Sequence, residues 1–95
     1  MDLLLAYDVA TDTPAGRRRL RMVAKACESY GVRVQDSVFD LVVNDHELES
    51  LVERLRTIID RRADNVRIYR LQGGTPVCIL GSSRPLSTTR GPLVL

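Results

Sequence analysis

Leu3-Leu4-Leu5-Ala6-Tyr7 runs without polar alternation into Asp8, the pattern of a central strand, here spanning residues 2–9, covered on at least one face. Thr13 then stands at a helix N-cap with Pro14 in the first helical position, and Leu20, Val23, Ala24, Cys27 and Tyr30 repeat at helical spacing as far as Gly31. A strand that passes so soon into an amphipathic helix restricts the chain to folds that lay helices on a sheet. The junction itself is unusual. An acid closes an apolar strand, and Arg17, Arg18, Arg19 and Arg21 crowd the start of the helix, where positive charge opposes the helix dipole. Choices that work against local stability often mark a site.

The rest of the chain completes one pattern. Residues 32–43 are rich in β-branched residues, include Phe39, and are too long for one typical strand; Gln35-Asp36-Ser37 supplies a turn, so the stretch reads as a hairpin. Asn44 and Glu47 form a capping box ahead of Leu48, Leu51, Val52, Leu55, Ile58 and Ile59, the apolar stripe of a second helix ending near Arg62. Val66 to Leu71 alternates as a fourth strand closed by Gly73-Gly74, and Val77 to Leu80 offers a fifth. The order strand, helix, strand, strand, helix, strand is the α+β, ferredoxin-like βαββαβ arrangement, with two helices on one face of an antiparallel sheet and an extra C-terminal strand. Residues 1–80 form that unit. Residues 81–95, with Pro85, Pro92 and the apolar end Leu93-Val94-Leu95, lie outside it. An apolar tail and a spare strand on so small a domain point to dimer or partner contact, since an exposed edge is otherwise a liability.

At 95 residues there is room for one domain, which buries roughly 60–70% of its unfolded surface. The formal charge of +2 does not by itself indicate nucleic acid, but its distribution does more: residues 17–25 carry five basic groups and no acid, and residues 45–53 carry four acids and no Lys or Arg. Cys27 and Cys78 lack CxxC spacing and a neighbouring His, which argues against a zinc site or redox pair and for core thiols in a reducing cytosol. No signal peptide or membrane-spanning run is legible.

Asp8 is the leading candidate metal ligand. A strand-end carboxylate close to its symmetry mate in a two-fold dimer suits Mg²⁺, which needs few protein oxygens; the alternative is a hydrogen bond to the loop at residues 10–13. The arginines at 17, 18, 19 and 21 suit a phosphate backbone beside a helix N-terminus; the alternative is a solvated helix face. His46 has no partner His or Cys nearby and reads as a surface residue. Tyr7, Tyr69 and Phe39 lack the paired stacking pattern of an RNA-recognition sheet and read as packing residues, Tyr7 with a site contact. Ser37 has no His-acid partner, so nucleophilic catalysis has no support.

Tyr7-Asp8-Val9, Gly16 to Lys25, Tyr30 to Phe39 and Arg67-Ile68-Tyr69-Arg70-Leu71, in that order over essentially the whole chain, closely resemble the small CRISPR-associated Cas two family, the second of the universal adaptation pair. Ile79-Leu80-Gly81 and Pro92-Leu93-Val94-Leu95 resemble the version in type I systems. The resemblance implies a ferredoxin-like homodimer in which each protomer's C-terminal strand adds to the other's sheet. It also implies an endonuclease dependent on Mg²⁺ or Mn²⁺, acting on double-stranded DNA or single-stranded RNA, and a bridge between two dimers of the partner integrase during spacer acquisition. The family's metal-site aspartate falls on Asp8, its arginine-rich helix start on Arg17 to Arg21, its further basic residue on Arg33, and its Ser-Val-Phe element on Ser37, Val38 and Phe39. Three functions then compete: a nuclease with one ion between two Asp8 carboxylates, a DNA-binding scaffold without catalysis, and a toxin-like endoribonuclease of similar fold.

Overall fold

The computed structural model describes residues 1–72 and 76–81. Strand β1 (Asp2–Asp8) leads into helix α1 (Pro14–Glu28), the hairpin β2 (Gly31–Gln35) and β3 (Val38–Val42), helix α2 (Asp45–Ile58), and strands β4 (Asn65–Arg70) and β5 (Pro76–Gly81). The strands form one antiparallel sheet in the order β2-β3-β1-β4-β5, which is the expected α+β arrangement with its extra strand. β5 adds to β4 of its own chain, whereas the resemblance implies addition to a partner's sheet. The Gly73-Gly74 turn and residues 82–95 of the C-terminal segment lie outside the described residues.

Each element follows from local chemistry. Thr13 caps α1 by accepting from the Gly16 N–H at 3.0 Å, and Pro14 opens the helix. Asn44 and Glu47 exchange the two bonds of the capping box at 2.8 and 3.0 Å. The hairpin turn falls on Asp36-Ser37, with Gln35 opposite Val38 and an irregularity between Arg33 and Gln35.

α2 stops at Ile58, short of the expected end near Arg62. Ile59 adopts extended backbone and the Asp60 N–H donates to the Asp64 carboxylate at 2.8 Å. A side chain four residues ahead thus takes a donor that the helix would otherwise use.

Alternation along β1 sends Leu3, Leu5 and Tyr7 to the helical side, where they pack with Phe39, Leu41, Val66 and Ile68 of the sheet and Val23, Ala26, Cys27, Leu51 and Leu55 of the helices. Asp2, Leu4, Ala6 and Asp8 therefore lie on the face away from the helices. Register places Val42 and Val32 on that same face, across from Asp2 and Asp40, and Ile79 across from Arg67. Val32, Val42 and Ile79 are 69%, 72% and 49% exposed, so three strands present branched apolar groups with no helix over them.

Candidate functional site

Asp8 is the last residue of β1 and is exposed. Its neighbour across the ladder is Asn65 at the start of β4, and Arg67, across from Ala6, shares its face and donates from Nε to Asn65 Oδ1 at 3.0 Å. Among the described residues no group of three or more His, Cys, Asp or Glu side chains is placed to hold a metal ion. One chain thus contributes too few oxygens for a protein-built cage. Two copies contribute two Asp8 carboxylates, and Mg²⁺ is commonly held by one or two carboxylates with water completing its shell. Asp8 supplies one carboxylate of the one or two that such an ion takes.

The loop after Asp8 leads directly to the N-terminus of α1, so the carboxylate and the arginines share one end of the sheet. No acidic residue occupies the first turn of α1, leaving its positive end uncompensated by carboxylate. Arg17, Arg18 and Arg21 are exposed, with Arg17 donating to the Thr11 carbonyl at 3.3 Å.

Arg19 departs from the set. Its side chain is only 19% exposed and donates from Nε to Asp64 Oδ2 at 2.7 Å and from a terminal nitrogen to Oδ1 at 3.4 Å. Of the four arginines that the sequence grouped as candidate phosphate contacts, Arg19 is engaged within the fold. Helical rotation turns position 19 inward, where a buried carboxylate engages it.

Arg33, on β2, lies with its guanidinium carbon 5.3 Å from the centre of the Phe39 ring and pairs with Glu28 at 3.5 Å. Phe39 is fully buried and stacks with Tyr7 at 6.2 Å between ring centres. The Tyr7 hydroxyl donates to the Asp36 carbonyl at 3.2 Å and its N–H to the Ser37 carbonyl at 3.0 Å. Burial pushes the Tyr7 hydroxyl's pKa up. Tyr7, Ser37 and Phe39 thus brace β1 against the hairpin turn through core packing and main-chain bonds. Asp8 alternates to the other face of β1.

Asp64 was not singled out by the sequence, yet its carboxylate is fully buried and accepts from three segments: Arg19, the Asp60 N–H at 2.8 Å and the Ala10 N–H at 3.0 Å. Burial raises its pKa, but the bonds from Arg19, Asp60 and Ala10 outweigh that effect and hold the carboxyl below its ordinary value. The signal was present, because an acid immediately before an apolar strand is as costly as one at its end. Nothing in the spacing linked position 64 to position 19.

The family model described as CRISPR associated protein Cas2 matches residues 1–75. The chain is 50% identical over 72 residues to the CRISPR-associated endoribonuclease Cas2 1 of Moorella thermoacetica, covering 76% of this chain and 75% of that protein. It is 45% identical over 95 residues to the CRISPR-associated endoribonuclease Cas2 3 of Rhodospirillum rubrum, covering 98% and 99%. The crystal structure of Streptococcus pyogenes Cas2 at pH 6.5 superposes with a TM-score of 0.71 at 52% identity, covering 75% of this chain and 86% of that one. In sequence and in fold, then, the chain belongs to the Cas2 family of CRISPR-associated proteins.

Proposed function

We propose that this protein is a metal-dependent endonuclease of CRISPR adaptation that works as a homodimer, binds duplex DNA and bridges the partner integrase in the cytoplasm. The observation that carries the reading is the placement of Asp8 on the helix-free face of β1, at the end of the sheet where α1 begins with exposed arginines. Relatives bearing the names endoribonuclease and endonuclease support a phosphodiester substrate. The exposed Val32, Val42 and Ile79 support a dimer joined through that face, an arrangement that would bring two Asp8 side chains toward each other.

Asp8 and its copy in the partner would hold Mg²⁺ or Mn²⁺, which when bound supplies a Lewis acid for the phosphoryl group and lowers the pKa of an attacking water. Arg17, Arg18 and Arg21 neutralise phosphates along the strand and fix its register without reading bases. Arg33 is held against Phe39 and Glu28 and supplies positive charge at the β2 edge. DNA and RNA share the phosphodiester that this constellation addresses, so both are substrates to be tried.

A second reading follows from the lack, among the described residues, of three or more acidic or other ligand side chains grouped to hold a metal: a scaffold that binds duplex DNA and recruits the integrase without cleaving. Labelled duplex DNA and single-stranded RNA incubated with Mg²⁺, Mn²⁺ or chelator, beside the Asp8→Asn variant, separate the two. Metal-dependent cleavage lost in the variant, with duplex binding kept, is the expected result. Cleavage equal in the variant sinks the assignment to Asp8, and duplex binding without cleavage under any metal leaves the scaffold. Single-strand RNA cleavage by a protein that fails to bind the integrase would instead favour a toxin-like endoribonuclease.

A further inference from the structure

We propose that Asp64 and Arg19 are positioning residues that set the place of Asp8, and that Arg19 serves the reaction through this pair and not as a phosphate contact; this rests on the reading of Asp8 as the metal-holding residue. The Asp64 carboxylate joins three separate segments: the loop after β1 through the Ala10 N–H, the end of α2 through the Asp60 N–H, and α1 through Arg19. Ala10 stands two residues beyond Asp8, so its peptide is fixed immediately downstream of the candidate ligand. The other side of that residue is also confined. Gly16 approaches the Ala10 carbonyl so closely that any Cβ there would collide with it.

Asp64 also acts across the sheet. The next residue, Asn65, opens β4 and pairs in register with Asp8, so anchoring Asp64 anchors the strand neighbour of Asp8 as well. Asp8 is thereby located along the chain through Ala10 and across the ladder through Asn65. A buried ion pair is weak evidence for stability, since apolar packing often serves as well. Apolar packing could not, however, accept two backbone N–H groups and a guanidinium on one side chain. Partners bonded directly to a metal ligand matter by about 10–100-fold in metal affinity or activity; Asp64 acts one step further out, through Ala10 and Asn65, which places its effect toward the lower end of that range.

The test compares Arg19→Gln and Asp64→Asn with Arg18→Gln in the full chain, by three readouts: amide hydrogen exchange over residues 9–12, Mn²⁺ affinity without nucleic acid, and the salt dependence of duplex DNA binding. In Arg19→Gln and Asp64→Asn, exchange at Ala10 is expected to accelerate and Mn²⁺ affinity to fall about tenfold, while the salt slope stays unchanged. Arg18→Gln should do the reverse, lowering the slope by about 0.9 with Ala10 exchange unchanged. An Arg19→Gln protein with wild-type exchange at Ala10 and a slope lowered by about 0.9 would overturn the proposal and return Arg19 to the phosphate contacts. Should Asp64→Asn fail to fold, Arg19→Gln and Arg19→Lys carry the test, with Lys keeping the charge and restoring part of the exchange protection. If Asp8→Asn leaves Mn²⁺ affinity intact, the metal reading of Asp8 fails on its own, and the exchange at Ala10 still decides whether Asp64 and Arg19 hold the loop.

Discussion

Replacing Asp64 with Ala should destabilise the fold severely, and by an amount that can be worked from its partners. The carboxylate is fully buried and accepts from Ala10, Asp60 and Arg19. Truncation orphans two backbone N–H groups, each worth about 1–3 kcal/mol when left unsatisfied, and leaves a guanidinium without its counter-charge. A total of about 3–5 kcal/mol is expected, a large share of the roughly 5–15 kcal/mol that holds a small domain. At about 4–8 °C per kcal/mol the melting temperature should fall by more than about 12 °C. The pH dependence carries the sign of the effect. The folded carboxyl lies below its ordinary 3.8, so between those values the unfolded chain binds more protons and stability rises with pH. Asp64 therefore contributes fully above the unfolded value and loses its contribution as pH falls through the folded one. Urea unfolding from pH 2 to pH 7 at fixed protein concentration should show a steep acid limb in the wild type and a shallower one in Asp64→Asn. A loss below about 1 kcal/mol in Asp64→Ala, or an acid limb that Asp64→Asn leaves unchanged, would refute the reasoning.

Other perturbations separate the roles of the remaining residues. Converting Arg18 and Arg21 together to Ala should lower the slope of log duplex affinity against log salt by about 1.8, read by fluorescence anisotropy across a salt series. Phe39→Ala, at a fully buried position stacked with Tyr7, should lose about 3–5 kcal/mol in urea unfolding. Val42→Lys, on the helix-free face at a 72% exposed position, should leave the circular dichroism spectrum intact and shift sedimentation from dimer to monomer. Burial pushes the Cys27 thiol up to about 12, so native protein at pH 8 should resist alkylation there until it is unfolded.

The fold was legible because its signals are local. Thr13-Pro14 and the Asn44-Glu47 box name the helix starts from adjacent residues, and the alternating or continuous apolar runs name the strands. Asp8 was legible for the same reason, as a polar residue where the apolar pattern ran out. Arg19 was not separable from Arg17, Arg18 and Arg21 by sequence, because what distinguishes it is a contact 45 positions away. The early end of α2 has the same origin, since the Asp64 side chain takes the Asp60 N–H. Periodicity reports which face a residue occupies. It does not report which buried carboxylate meets it there.

Titration of the purified protein with Mn²⁺, followed by electron paramagnetic resonance of the free ion, tests the proposed shared-carboxylate site most directly. One ion bound for each pair of chains, and none at that affinity in Asp8→Asn, is the expected result. Binding of one ion to every chain, or binding that survives Asp8→Asn, would contradict a metal held between two copies of Asp8.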